Sequence, residues 1–400
     1  MKRLIHILFG WQMVLSMGTL SAQTKLNPNL LLRGSFDNSQ HVFSKQKKGH
    51  VAFMGGSITE MNGYRPIMME WLRKRFPDTA FTFTSAGISS TCSTTGAFRL
   101  KRDVLDKGPV DLFFVEFAVN DDQDAGHSRE ACHRGMEGII RHLRTRNPNA
   151  DVVVTYFVNP GMLKILQEGK APVPMAAHEE VLRFYDVSAV HLAKEVAERI
   201  TAGTFSWKQF GGTHPKRPGN ALCSELIGQM LHHAWQVAPS NPSVKATVPH
   251  PLPEKLFNSH SYVAGRFLSP EKAKRDKGWK WSEPNWKKLS GGKRGRYLGV
   301  PLLHTEKAGS TVSIAFEGTA IGAFVLAGPD AGILDFEVDG ETKGSVNLRH
   351  HYSRGLHYPR TVMFAHDLDP GKHSLRLTLS AKANSTGKSA AARILEFCVN

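Results

Sequence analysis

Val51-Ala52-Phe53-Met54-Gly55-Gly56-Ser57-Ile58-Thr59-Glu60 is a short apolar run that ends in two glycines and a serine. A segment with helical spacing follows at 65–76, where Ile67, Trp71 and Leu72 fall on one face. The order predicts a buried strand, a tight turn and a helix. It leaves the serine hydroxyl at the carboxyl end of the strand, where open α/β sheets place their ligands. A serine in that position is more commonly a plain helix N-cap. What the rest of the chain brings to the same edge decides between cap and nucleophile.

Working outward, strand-like runs recur at 80–84, 110–119 and 151–158, and helical periodicity at 132–144, 178–200 and 220–234. Apolar strands alternating with helices imply a parallel sheet covered on both faces. Near residue 240 the texture changes. Ala238-Pro239-Ser240-Asn241-Pro242 and Pro249-His250-Pro251-Leu252-Pro253 read as a stiff proline-rich connector. Past it, short strand-like runs at 311–316, 320–326, 333–338, 361–365 and 374–379 are separated by turns such as Asp339-Gly340 and Asp369-Pro370-Gly371. That spacing predicts an all-β sandwich. The expected layout is a signal peptide at 1–22, an α/β domain at 23–240, a connector at 241–260 and a β-sandwich at 261–400.

The signal is read from basic Met1-Lys2-Arg3, an apolar stretch at 4–20, and Ser21-Ala22-Gln23 as a cleavage point after Ala22. His6, Gly10, Gln12 and Gly18 interrupt the apolar stretch, which argues against an uncleaved membrane anchor. The mature protein is therefore expected to be exported, periplasmic or secreted, with no transmembrane segment. A net charge of +16 favours an anionic partner. No helix-turn-helix, zinc-finger or RNA-binding signature accompanies it, so an acidic polysaccharide is preferred to nucleic acid.

Cys92, Cys132, Cys223 and Cys398 are scattered and lack CxxC or zinc-ligand spacing. Neither a metal nor a cofactor is expected. Residues 271–296 carry ten Lys or Arg against three acidic residues, with Trp279, Trp281 and Trp286 among them. Tryptophan faces stack on sugar rings and basic groups hold carboxylate or sulfate. The stretch also reads as a solvated loop whose tryptophans plug the sandwich edge, the commoner fate of a charge run.

Three further loops join Ser57 at the strand ends. Ser85-Ala86-Gly87-Ile88-Ser89-Ser90 follows the second strand. Glu116-Phe117-Ala118-Val119-Asn120-Asp121 ends the third. Gly211-Gly212-Thr213-His214-Pro215 precedes the last helix of the α/β region. Together they supply the parts of acyl transfer. A serine hydroxyl needs a neighbouring base to become a nucleophile, and the His214 imidazole can serve. An oxyanion needs fixed donors. The amides of Ser57 and Gly87 and the side-chain amide of Asn120 offer three, and Gly87 lets a substrate oxygen approach because it has no Cβ.

Gly56-Ser57-Ile58-Thr59, Gly87, Asn120-Asp121 and Thr213-His214-Pro215 resemble the four blocks of the SGNH, or GDSL-like, hydrolases over about residues 48–237. The resemblance implies a flavodoxin-like α/β/α sandwich and an esterase. It makes Ser57 the nucleophile, His214 the base, and Gly87 and Asn120 oxyanion donors. Two positions depart from the family pattern. Ala118 replaces a glycine, a mild change if φ stays negative. Gly211 replaces the aspartate that usually orients the imidazole.

Three readings of that second departure stand open: a Ser-His dyad steadied by a backbone carbonyl, a carboxylate relocated to Glu60, Asp121 or Glu116, or a non-catalytic relative. Glu116, an unusual charge inside an apolar strand, also reads as the buried partner of Arg99 or Arg102. The region after 250 is similar to the sandwich modules that accompany some bacterial carbohydrate esterases. The expected substrate is an ester of a carbohydrate, most plainly an O-acetyl group. A pectin-type methyl esterase and a glycan-binding protein on a dead hydrolase scaffold are the alternatives.

Overall fold

The computed structural model describes residues 26–237, 247–382 and 390–400; the expected signal peptide and the first part of the connector lie outside them. The first half of the chain builds a six-stranded sheet from β1 (Leu30–Leu31), β2 (Lys48–Gly55), β3 (Ala80–Gly87), β4 (Leu112–Glu116), β5 (Asp151–Thr155) and β6 (Ser188–Val190). Its order is β1-β6-β5-β4-β2-β3. Strands β2 to β6 are parallel, and β1 pairs antiparallel with β6 at the edge. Numbered from β2, the parallel strands run 2-1-3-4-5, the flavodoxin-like order. Strands β4 and β5 are buried at every position, as a sheet covered on both faces requires.

The helices include α2 (Ser57–Glu60), α3 (Tyr64–Arg75), α4 (Ser93–Asp103), α5 (Arg129–Arg146), α7 (Val173–Phe184), α8 (Leu192–Thr201), α9 (Trp207–Phe210) and α10 (Arg217–Val237), with the short α1 (Asp37–His41) and α6 (Pro160–Gln167) beside them. The single long helix expected at 178–200 is instead α7, strand β6 and α8. Asp186 adopts a left-handed φ of 51°, which ends α7 and lets the chain re-enter the sheet. None of the helices among the described residues is long and apolar enough to cross a membrane.

The second half is a sandwich of antiparallel sheets. One runs β15 (Tyr358–Ala365), β12 (Ile321–Ala327), β17 (Ala392–Val399), β10 (Leu302–Thr305), β9 (Lys280–Ser282), with β7 (Arg266–Leu268) on β17. The other runs β14 (Glu341–Asn347), β13 (Ile333–Val338), β16 (Gly371–Leu379), β11 (Thr311–Gly318), β8 (Lys274–Arg275). In β13 alternate residues are buried, the period-2 pattern of a strand with one face on a core.

The two halves are packed together. Tyr262, Phe324 and Cys398 join the apolar core of the α/β domain, and Phe98 meets Tyr262 at a ring separation of 4.8 Å. The described end of the connector also lies on that domain. His250 Nε2 sits 2.7 Å from Asp151 Oδ1, and the amides of Phe257 and Asn258 donate to Glu137. All four cysteines are buried free thiols.

Candidate active site

The turn after β2 and the loop after β4 flank the point where crossovers leave the sheet in opposite directions, the switch point of an open α/β sheet. Four loops meet there. The chain turns at Gly56 directly into α2. A Cβ on Gly56 would come within 2.0 Å of Asn120 Oδ1, so glycine is what lets Asn120 lie against the turn. Ser57 opens α2, and its N–H therefore has no intrahelical acceptor. His214, in the loop between α9 and α10, brings Nε2 to 2.7 Å from Ser57 Oγ.

Gly87 ends β3, the edge strand. Ile88 N–H donates to Gly55 O at 3.1 Å. Strand alternation then turns the Gly87 N–H away from β2 and Ser57, against the oxyanion role expected of it. A side chain cannot be added here, because a Cβ on Gly87 would stand 2.3 Å from the Glu60 amide. Asn120 is buried at the start of the π-helical turn Asn120–Asp124 that follows β4. Its Nδ2 donates one proton to Asp124 Oδ2 at 2.6 Å, which leaves a second for a ligand. Ala118 is not among the residues of positive φ, so its replacement of glycine costs the turn nothing.

None of the three proposed imidazole-orienting carboxylates reaches His214. Glu60 accepts from the amide and hydroxyl of Ser89 and pairs with Arg296. Asp121 is fully buried and accepts from Ser93 N at 2.7 Å and Ser93 Oγ at 2.6 Å, with His178 Nε2 2.8 Å away. Glu116 Oε1 accepts from Gly56 N at 2.8 Å, Thr59 N at 3.2 Å and Thr59 Oγ1 at 2.7 Å. Among the described residues His214 Nδ1 makes no hydrogen bond to a carboxylate or a carbonyl, so the steadying carbonyl is missing as well.

The arginine expected beside Glu116 is also placed differently. Arg99, fully buried, donates to Ala86 O at 2.6 Å and Gly55 O at 2.8 Å and pairs with Asp103 at 3.1 Å. It ties together the ends of β2 and β3. Arg102 pairs with Asp103 and Glu396. Glu116 is instead the acceptor that fixes the turn carrying Ser57. Burial pushes its carboxyl up to about 7, with the hydrogen bonds from Thr59 and Gly56 offsetting part of the rise.

The tryptophans divide. Trp279 and Trp286 are 3% and 9% exposed and belong to sandwich packing, so neither can present a face to a sugar. Trp281 is half-buried. It lines a cleft of about 390 Å³ with Ile88, Arg296, Tyr297 and Glu396, where the sandwich borders the loop after Gly87. Sequence reasoning missed Tyr358. This β15 residue donates to Asp124 Oδ1 at 2.6 Å and so braces the partner of Asn120.

Residues 53–222 match the GDSL-like Lipase/Acylhydrolase family. The α/β domain is a GDSL-like hydrolase domain. The chain is thereby a carboxylic ester hydrolase. No curated protein matches its sequence. Two crystal structures of a two-domain esterase (CEX) active on acetylated mannans share its fold. The first, co-crystallised with mannopentaose, has a TM-score of 0.73 at 19% identity and covers 93% of this chain and 96% of its own. The second has a TM-score of 0.69 at 20% identity, covering 93% and 97%. At that identity the likeness speaks for the fold, a GDSL-like domain followed by a sandwich.

Proposed function

We propose that this GDSL-like hydrolase is an exported esterase that removes O-acetyl groups from a carbohydrate through a Ser57–His214 pair. The observation that carries the reading is the 2.7 Å contact between His214 Nε2 and Ser57 Oγ at the switch point of the sheet. His214 takes the hydroxyl proton as Ser57 Oγ attacks the ester carbonyl. The Ser57 amide and the free N–H of Asn120 receive the negative oxygen. Collapse expels the sugar hydroxyl, which leaves with the proton from His214. Water then enters along the same path and releases acetate.

A carbohydrate suits the half-buried Trp281 and the polar rim of its cleft. The fold is shared with an esterase active on acetylated mannans, so acetylated mannan is the first polymer to assay. The basic surface makes acidic glycans the second. The test measures acetate release from acetylated mannan, acetylated xylan and an aryl acetate. Ser57→Ala is expected to abolish release with an unchanged melting temperature. Undiminished turnover by that variant would overturn the mechanism. Methanol release from a methyl-esterified polyuronate would redirect the substrate assignment, and failure of Ser57 to react with a fluorophosphonate would favour a purely glycan-binding role.

A further inference from the structure

Behind Asn120 lies a second constellation that ester hydrolysis does not use. Cys92 caps α4, Asp121 follows Asn120, and His127 comes from the loop before α5. One donor atom from each lies within 4.8 Å of the other two. Asp121 is shared with another triad, completed by Cys132 and His178. We propose that Cys92, Asp121 and His127 bind one divalent transition-metal ion of the zinc class, with the fourth coordination position open to solvent.

Four observations carry this. A thiol, an imidazole and a carboxylate form a donor set that suits zinc and excludes the hard cations magnesium and calcium. Zinc holds such donors at about 2.0–2.3 Å, so the three need to close in by only about an ångström. The carboxylate is already positioned, because Ser93 N, Ser93 Oγ and His178 Nε2 all fix Asp121. Ligating carboxylates are commonly held by an outer shell of this kind. His127 Nδ1 is buried, stands 3.4 Å from Asp121 Oδ1 and makes no hydrogen bond. It already faces the carboxylate that would share the ion with it.

The choice between the two triads follows from access. His178 is fully buried and its Nε2 is already engaged with Asp121. Cys92 and His127 instead line a cavity of about 300 Å³ where the GDSL-like domain meets Tyr358 and Arg360 of β15. That cavity gives an ion a way in and gives the fourth position room for water. Cys92 comes from the connection between β3 and α4, and Asp121 and His127 from the one between β4 and α5, and no linear metal motif marks them.

The site is tested on the full chain, independently of esterase activity. Metal-free protein kept reduced is titrated with Co(II). We expect uptake of a single equivalent with a thiolate-to-cobalt charge-transfer band in the near ultraviolet, displaced by Zn(II). Cys92→Ser should abolish the band and weaken zinc binding by roughly tenfold or more, whereas Cys223→Ser, altered elsewhere in the core, should leave both. No uptake by the wild-type chain would overturn the proposal, as would a band that survives Cys92→Ser. Should Cys92→Ser fail to fold by circular dichroism, His127→Gln replaces it. A comparable loss of zinc affinity supports the site, and wild-type affinity refutes it.

Discussion

Gly211 has a φ of 105°, and a Cβ there would stand 2.4 Å from the Lys216 amide. The residue that would carry an orienting acid is therefore held in a conformation and a space that admit only glycine. Left-handed backbone alone costs a larger residue about 1–2 kcal/mol. Gly211→Asp should lower the melting temperature and leave acetate release no faster. A variant of unchanged stability and higher turnover would show that the side chain had found room beside His214. Asn120 can be probed from both sides of its contact with the turn. Asn120→Ala should reduce kcat by about 10²–10³ with KM little changed, the usual cost of one oxyanion donor. Gly56→Ala should act through the same atom by pushing Asn120 aside, so the double variant should be no slower than Asn120→Ala. Multiplicative losses in steady-state kinetics would refute that coupling.

The turn from β2 into α2 works as one element because Glu116, from β4, accepts three of its hydrogen bonds. The same burial raises the Glu116 carboxyl from 4.5 to about 7. A carboxyl whose folded value is raised favours the native state while protonated. Its contribution is complete below about 4.5 and is lost as pH rises through about 7, a change of at most about 3 kcal/mol. Glu116→Gln keeps the acceptor oxygen and removes the titration. Thermal melts across pH 4–8 should therefore show a smaller decline in the variant than in the wild type, and parallel curves would contradict the assignment. Elements of this kind explain what could be read from the sequence. The four blocks are short contiguous stretches at strand ends, so their chemistry and order were visible in one dimension. Strand β6 was not, because Ser188-Ala189-Val190 is too short to show a period between two helices. Glu116 was noticed as a charge in an apolar strand, but its partners are backbone amides, which composition cannot reveal. Trp279 and Trp286 stood out by residue type, and only packing shows them as core.

At the scale of the whole molecule the sandwich is part of the site's support. Arg294 donates to Ser89 O at 2.7 Å and Ser90 Oγ at 2.8 Å, holding the loop after Gly87 where Ser90 takes a left-handed φ of 68°. Arg296 pairs with Glu60 of α2 at 2.6 Å. The basic stretch that suggested an anionic glycan thus spends two of its arginines inside the molecule. These contacts join residues more than 200 positions apart, which is why the order of the two domains was legible and their cooperation was not. A further link runs from Tyr358 through Asp124 to Asn120. A hydrogen bond to a charged group is worth about 1.5–3 kcal/mol, and part of that sets the aim of the Asn120 amide. Tyr358→Phe keeps the ring and removes only the donor, so kcat for an aryl acetate should fall by roughly tenfold, within the limit set by losing Asn120 itself. In an Asn120→Ala background the same change should have no further effect on kcat, since nothing is left to aim. If the two losses multiply, Tyr358 acts only through packing and the sandwich has no hold on the oxyanion site by this route.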